Sequence, residues 1–410
     1  MYSRKIARNI LEALKDTPIL LVQGARQVGK STLVKDLIQK EKNASYITFD
    51  SLNVLESAKR DPINFISQLK TPVTLDEVQY VPEILPALKM AVDEDRRPGQ
   101  YILTGSANVL LLPNAAEYLV GRMELFVLWP LSQSEKLGLE SNFVDDLFRG
   151  AFQSGKRYEK NSDEIITSIC LGGYPELQTR KNTQRRDAWF ESYLDLILRR
   201  DVKMLAQIEG LAELPHLLSL LATRISGLLN FAELSRTSTL AQSTLKRYFT
   251  LLHNIFLIYT LPAWSTNLGK RLVKTPKLYF VDTGLASYLQ GFNPEGLAAS
   301  VNAIGPLLEN FVVMELVKQS SWSETKPAIY HYRTHNQNEI DVILEDRAGN
   351  IVAIEIKNTQ TIKKSALSAM QTLRDEIGDR FKAGVLLYSG DQELSLEKKL
   401  WGIPLARLSS

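Results

Sequence analysis

The run Gly24-Ala25-Arg26-Gln27-Val28-Gly29-Lys30-Ser31 lies between the apolar stretch Pro18-Ile19-Leu20-Leu21-Val22 and an amphipathic stretch continuing through Thr32-Leu33-Val34-Lys35-Asp36-Leu37-Ile38. Strand, glycine-bearing loop and helix in that order make the phosphate-loop arrangement of α/β folds with a parallel sheet. Gly24 and Gly29 let the backbone curl so that successive N–H groups face inward, and the helix N-terminus adds partial positive charge where phosphates would lie. Lys30 is suited to the β- and γ-phosphates and the Ser31 hydroxyl to Mg²⁺. Residues Gly24 through Thr32 therefore imply a site for a nucleoside triphosphate, with ATP and Mg²⁺ the expected ligands.

The rest of such a site needs acids. Pro72-Val73-Thr74-Leu75-Asp76-Glu77-Val78-Gln79 supplies them as a short apolar strand ending in an acidic pair. After a phosphate loop, the first acid of such a pair supports Mg²⁺ and the second polarises the attacking water, so Asp76 and Glu77 take those roles in order. A third strand, Gln100-Tyr101-Ile102-Leu103, ends in Thr104-Gly105-Ser106-Ala107-Asn108. Thr104 and Ser106 at its tip are placed to touch the γ-phosphate or orient water, and a polar turn capping the next helix is an equal alternative. Arg122 and the pair Arg199-Arg200 are candidates for an arginine that reaches a neighbouring subunit's phosphates, against the plainer reading of surface salt bridges. Strand and helix patterns alternate through Pro130, as in a parallel sheet covered by helices.

With these motifs, the chain resembles the prokaryotic AAA+-type P-loop ATPases that carry a C-terminal domain of formerly unknown function. The resemblance rests on Gly24 to Ser31, Leu75-Asp76-Glu77-Val78-Gln79, Leu103-Thr104-Gly105-Ser106, Gly121-Arg122 and Gly172-Gly173-Tyr174-Pro175-Glu176, and spans nearly the whole chain. It implies ATP hydrolysis at the first domain and, where an arginine acts across subunits, a homo-oligomer such as a ring. Gly172 to Glu176 have no derivable chemistry; their glycines and proline read as a sharp turn between helices of a lid.

Between Glu135 and Glu164 polar residues dominate, which reads as an exposed connector. Beyond Leu214 come short helical patterns around Leu217-Leu221, Asn230-Leu234 and Ser243-Tyr248, and then an apolar strand, Ile255-Phe256-Leu257-Ile258-Tyr259. Helices followed by a hairpin resemble a winged helix-turn-helix. That resemblance places Gln242, Ser243, Thr244, Lys246 and Arg247 on or near a recognition helix, and Lys270, Arg271, Lys274 and Lys277, near Trp264, in a basic wing suited to phosphates. A helical module that packs on the ATPase and touches no DNA is the alternative.

The last part opens on a helix with Glu309 on a mostly apolar surface, followed by a strand with Asp341 and a returning strand, Ile351-Val352-Ala353-Ile354-Glu355-Ile356-Lys357. Glu355 and Lys357, two residues apart, project from one strand face. A helix acid, a strand acid and a Glu-x-Lys resemble the PD-(D/E)XK nuclease pattern. The resemblance implies Glu309, Asp341 and Glu355 as ligands of Mg²⁺ or Mn²⁺ and Lys357 as the catalytic cation; an inert nucleic-acid clamp on the same fold is the alternative. His331 and His335 lie close together, but without further histidine or cysteine support they read as ordinary strand and loop residues.

The fold expected is α/β: a P-loop AAA+-like parallel-sheet domain over 1–135, a connector and helical lid over 136–210, a winged-helix-like domain over 211–290 and a PD-(D/E)XK nuclease-like α/β domain over 291–410. A length of 410 residues fits several domains, and 44% hydrophobic with 23% charged residues is a globular composition. A net charge of +3 neither demands nor excludes nucleic acid. One cysteine, Cys170, rules out an intrachain disulfide, and no stretch is long enough to span a bilayer, so a cytoplasmic protein with no membrane role is expected. The leading function is an ATPase acting on DNA, with branched or recombination-associated DNA a candidate substrate. A regulatory ATPase whose tail binds a protein partner is the alternative.

Overall fold

The computed structural model describes residues 2–409 except 42–43, 112–114, 160–161, 206–212, 268, 270, 272–273 and 335–337; the side chains of 38–41, 111, 162 and 199–205 are likewise outside the described set. The chain divides into two compact units: Ser3–Pro130 with Leu251–Leu257, and Leu131–Thr250 with Ile258–Ser410 and the first two residues.

The first unit is built on strands β1 (Ile19–Gln23), β2 (Ser45–Thr48), β3 (Val73–Asp76), β4 (Tyr101–Gly105) and β5 (Met123–Val127), in the order β2-β3-β4-β1-β5 with every pair parallel. Parallel strands need crossovers, supplied by helices such as Lys30–Glu41, Leu52–Arg60 and Ile84–Glu94. Helices on both faces explain why all five residues of β1 are buried and why it reads as a continuous apolar run. Ile19, Leu21, Leu75, Leu103, Phe49 and Leu88 lie in the core of this unit. The phosphate loop thus leaves the carboxyl end of an interior strand, where open parallel sheets bind ligands.

In the second unit, the stretch expected as an exposed connector instead begins with two short packed helices, Gln133–Leu137 and Phe143–Arg149. The first starts on a reciprocal capping box between Ser132 and Glu135, and the second buries Phe143, Val144 and Leu147. The Gly172-Gly173 turn also has a defined partner. Gly172 has φ 68°, and a Cβ there would overlap the Asp282 carboxylate, which accepts from the Gly173 N–H at 2.6 Å and caps the helix Thr283–Leu289. Tyr174 next to it is fully buried among Trp189, Phe190 and Tyr193.

Three helices, Leu214–Ala222, Phe231–Ser238 and Gln242–Asn254, precede an antiparallel pair, β6 (Ile258–Leu261) and β7 (Lys277–Phe280). The strand expected from Ile255 begins only at Ile258, because Phe256 adopts φ 59° and breaks the extended run. The long helix Val301–Trp322 then leads to β8 (Ala328–Arg333), β9 (Glu339–Glu345), β10 (Ile351–Lys357), β11 (Phe381–Tyr388), β12 (Leu394–Glu397) and β13 (Leu400–Pro404). These form a mixed sheet in the order β12-β13-β11-β10-β9-β8, antiparallel from β8 to β10 and parallel across β10, β11 and β13. Helix Ser368–Ile377 makes the β10 to β11 crossover, burying Met370 and Leu373 with Ile343 and Leu386.

Candidate functional site

The loop after β1 is shaped by close backbone approaches. A Cβ at Gly24, φ 151°, would overlap the Leu128 carbonyl oxygen, and Gly29 sits at φ 95°. Gln27 holds φ 60° between them, and Arg4 ties the loop down by donating to the Val28 carbonyl at 2.8 Å. Lys30 is buried and folds back over the loop, donating to the carbonyls of Gly24 at 3.0 Å and Ala25 at 2.9 Å. Its ammonium is therefore held against the ring of backbone that would enclose phosphates. Arg26 donates to the Tyr80 hydroxyl at 2.7 Å, while Thr32 is exposed on the first helical turn.

Asp76, buried at the end of β3, gathers the remaining groups. It accepts from the Ser31 hydroxyl at 3.0 Å, from Thr104 and from the Tyr46 hydroxyl. A serine hydroxyl and a carboxylate meeting beside the loop lysine are the oxygen ligands that Mg²⁺ takes in phosphoryl-transfer sites, so the residues fit that ion. Glu77 follows with φ 61° and ψ 47°, a left-handed conformation uncommon for glutamate, and its N–H donates to the Thr104 hydroxyl at 3.2 Å. Gln79 uses one amide nitrogen to hold the Glu77 carboxylate and to donate to Ser106 at 2.9 Å. The structure thus brings Lys30, Ser31, Asp76, Glu77, Thr104 and Ser106 together from the ends of three neighbouring strands. It adds Tyr46 and Gln79, which the motifs did not single out. Burial, and then the Asp76 carboxylate, push the Tyr46 phenol well above its ordinary value, so it stays a donor.

Arg122 lies elsewhere. Its carbonyl accepts from Ile19 N at the start of β1, which puts it at the amino ends of the strands, opposite the carboxyl ends from which the phosphate loop leaves. One guanidinium edge, Nε and Nη2, is committed to Asp93 at 2.6 and 2.7 Å while Nη1 donates to the Val120 carbonyl at 3.0 Å, and the Asp93 pairing holds that carboxyl below its usual range. The side chains of Arg199 and Arg200 lie outside the described residues.

In the second unit, Glu309, Asp341 and Glu355 do converge, but with a cation among them. Lys277 of β7, 3% exposed, places its ammonium 2.9 Å from Glu309, 2.7 Å from Glu339 and 3.7 Å from Asp341. Tyr279 donates to Glu309 at 2.7 Å, the Ile356 N–H to Asp341 at 2.8 Å, and Lys357 pairs with Glu355 at 2.7 Å. Burial, then the Asp341 charge, raise Glu309 and Glu355 to about 7. Among the described residues, no group of three or more His, Cys, Asp or Glu is arranged to hold a metal ion. The expected Mg²⁺ or Mn²⁺ centre does not fit this geometry, because the Lys277 ammonium lies among the carboxylates and one oxygen each of Glu309, Asp341 and Glu355 is already bonded to a donor of the chain. A cleft of about 520 Å³ opens beside Glu355 and Lys357.

The basic wing is corrected on the same grounds. Arg271 is paired in bidentate fashion with Glu345 at 2.5 and 3.1 Å and stacked against Trp264 and Tyr330, Lys277 is buried among acids, and Lys274 donates to the Arg333 carbonyl at 3.4 Å. Lys270 lies outside the described residues. On the helix Gln242–Asn254, by contrast, Gln242, Ser243, Lys246 and Arg247 are exposed and Thr244 is half-buried. His331 is buried and bonded through Nε2 to the Thr275 carbonyl at 3.1 Å; His335 lies outside the described residues.

Residues 16–137 match the family described as an AAA domain, residues 162–296 a domain of unknown function (DUF8612) and residues 304–408 a second one (DUF4143). An uncharacterized protein of Mycobacterium tuberculosis is 30% identical over 405 residues, covering 98% of this chain and 83% of that protein, and one of Mycobacterium bovis matches equally. An uncharacterized Haemophilus influenzae protein is 26% identical over 343 residues, covering 78% of this chain and 79% of that protein. Among solved structures, a Walker-type ATPase of Pyrococcus abyssi aligns at 16% identity and a TM-score of 0.44, covering 71% of this chain and 96% of that one. No helix among the described residues is long and apolar enough to cross a membrane. The chain belongs to the family of these mycobacterial proteins, with an AAA-type P-loop ATPase domain followed by two domains of unknown function.

Proposed function

We propose that this protein is an ATP-hydrolysing switch that acts on DNA, with branched or recombination-associated DNA as its substrate class. The observation that carries the ATPase half is the meeting of Ser31, Thr104 and Tyr46 on Asp76, beside Glu77 held by Gln79. On ATP binding, Lys30 would exchange the Gly24 and Ala25 carbonyls for phosphate oxygens. Ser31 and Asp76 are the residues that would hold Mg²⁺, which supplies positive charge against the phosphates. Glu77 orients the attacking water and draws on its proton, and Thr104 and Ser106 link its position to the tip of β4.

The DNA half is supported by the helix Gln242–Asn254, which presents Gln242, Ser243, Lys246 and Arg247 to solvent ahead of a hairpin. ATP turnover measured at low salt, with and without forked duplex, tests both halves. Wild type is expected to be stimulated by DNA and Lys30→Ala to be inactive. Lys246→Glu with Arg247→Glu should keep basal turnover and lose the stimulation. No binding of any DNA and no stimulation at low salt would remove the DNA reading and leave an ATPase regulated by a protein partner.

A further inference from the structure

A nuclease-like acid cluster works by gathering carboxylate oxygens around a divalent ion, at roughly 2.0–2.6 Å from each. Here one oxygen each of Glu309, Asp341 and Glu355 is bonded to a donor that belongs to the chain itself. Lys277 and Tyr279, two residues apart and so on one face of β7, both reach Glu309. The same ammonium lies 2.7 Å from Glu339 and 3.7 Å from Asp341. The second oxygen of Asp341 takes the Ile356 N–H at 2.8 Å, and Glu355 takes Lys357 at 2.7 Å. An ammonium offers three donors and no acceptor, so seated between these carboxylates it offsets part of their charge and repels a second cation from the same space. Its position is set by structure: β7 pairs with β6 along its length, with Lys277 opposite Leu261 and Tyr279 opposite Tyr259, and all four residues of β7 are buried.

We propose that Lys277 is the resident cation of this cluster, standing where a nuclease of this type would hold its metal, so that the C-terminal sheet keeps its acids without a divalent ion and does not cut phosphodiesters. The proposal does not depend on ATP hydrolysis or on DNA binding. Its deciding test uses neither ligand, so its failure cannot be mistaken for theirs.

The test is Mn²⁺ binding to the nucleotide-free full chain, read from the electron paramagnetic resonance of unbound Mn²⁺. Asp341→Asn separates this cluster from any weak binding at the phosphate loop. Wild type and Asp341→Asn are expected to bind Mn²⁺ equally. Lys277→Met, which removes the charge and keeps most of the volume, is expected to gain one site per chain, and adding Asp341→Asn should abolish it. A wild-type affinity that drops tenfold or more in Asp341→Asn would overturn the proposal, as would a folded Lys277→Met chain that gains no site. If Lys277→Met does not fold, the comparison of wild type with Asp341→Asn still decides. A second readout is cleavage of duplex in Mn²⁺, expected to be indistinguishable between wild type and Asp341→Asn.

Discussion

Glu77 occupies a backbone region that costs a non-glycine residue about 1–3 kcal/mol, and such conformations persist only where the surroundings over-determine them. The surroundings here are specific. Thr104 receives the Glu77 N–H and Gln79 grips its carboxylate, so both ends of the residue are fixed. Gln79 is thereby a positioning residue, tying Glu77 to Ser106 through one amide group. Gln79→Ala is expected to lower kcat by about 10- to 100-fold with little change in KM, because misplacing a water-orienting carboxylate by an ångström costs on that order. Steady-state ATP turnover checks it, and a rise in KM at constant kcat would place Gln79 in substrate binding. Arg122 gives the opposite expectation. Committed to Asp93 at the far end of the strands, it should not behave as a phosphate-contacting arginine, whose loss costs about 10³–10⁵ in turnover. Arg122→Ala is expected to change kcat by less than about tenfold, measured at protein concentrations spanning any self-association.

The hairpin β6 and β7 shows where reading by element succeeded and where it stopped. Three helices and a strand were legible from apolar spacing, and the strand start moved by three residues because no pattern announces the positive φ of Phe256. The four cations after Trp264 were legible as charges but not as a surface. The partners of Arg271 and Lys277, Glu345 and Glu309, lie on other elements, and pairing across elements leaves no mark in local sequence. His331 on β8 is a similar case. Burial, with the Lys277 charge adding to it, holds its imidazole down to about 4, and its Nδ1 has no hydrogen-bond partner. The unfolded chain takes up this proton near pH 6.5 and the folded chain only near 4. The group therefore costs nothing above about pH 6.5, and stability is lost as pH falls from there towards 4, by at most about 3 kcal/mol. Glu309 and Glu355, held near 7, slope the other way, so the informative quantity is a difference between variants. His331→Gln should lose less stability than wild type between pH 7.5 and 5, as read from urea midpoints.

Across the whole chain, the ATPase unit was legible because its chemistry is local: strand, loop, lysine and hydroxyl follow one another, and the acidic pair ends a single strand. The order β2-β3-β4-β1-β5 and the contact of Tyr46 with Asp76 were not, since both depend on which strands become neighbours. In the second unit the acids of a Glu-x-Lys pattern could be found, but the lysine set among them comes from a hairpin before the long helix. The turn Gly172-Gly173-Tyr174-Pro175-Glu176 was visible and unexplained until its partner appeared. Gly172 has no side chain because the Asp282 carboxylate fills that space, and Asp282 in turn bonds Gly173 and starts a helix. Neither position can drift by itself: a methyl group at 172 evicts the carboxylate, and a residue at 282 without a carboxylate leaves the Gly173 N–H and the start of the helix without their acceptor. Descendants of a common ancestor should therefore either keep both or exchange both, and this linked inheritance would mark true members of the lineage more sharply than the phosphate loop, which many unrelated lineages share.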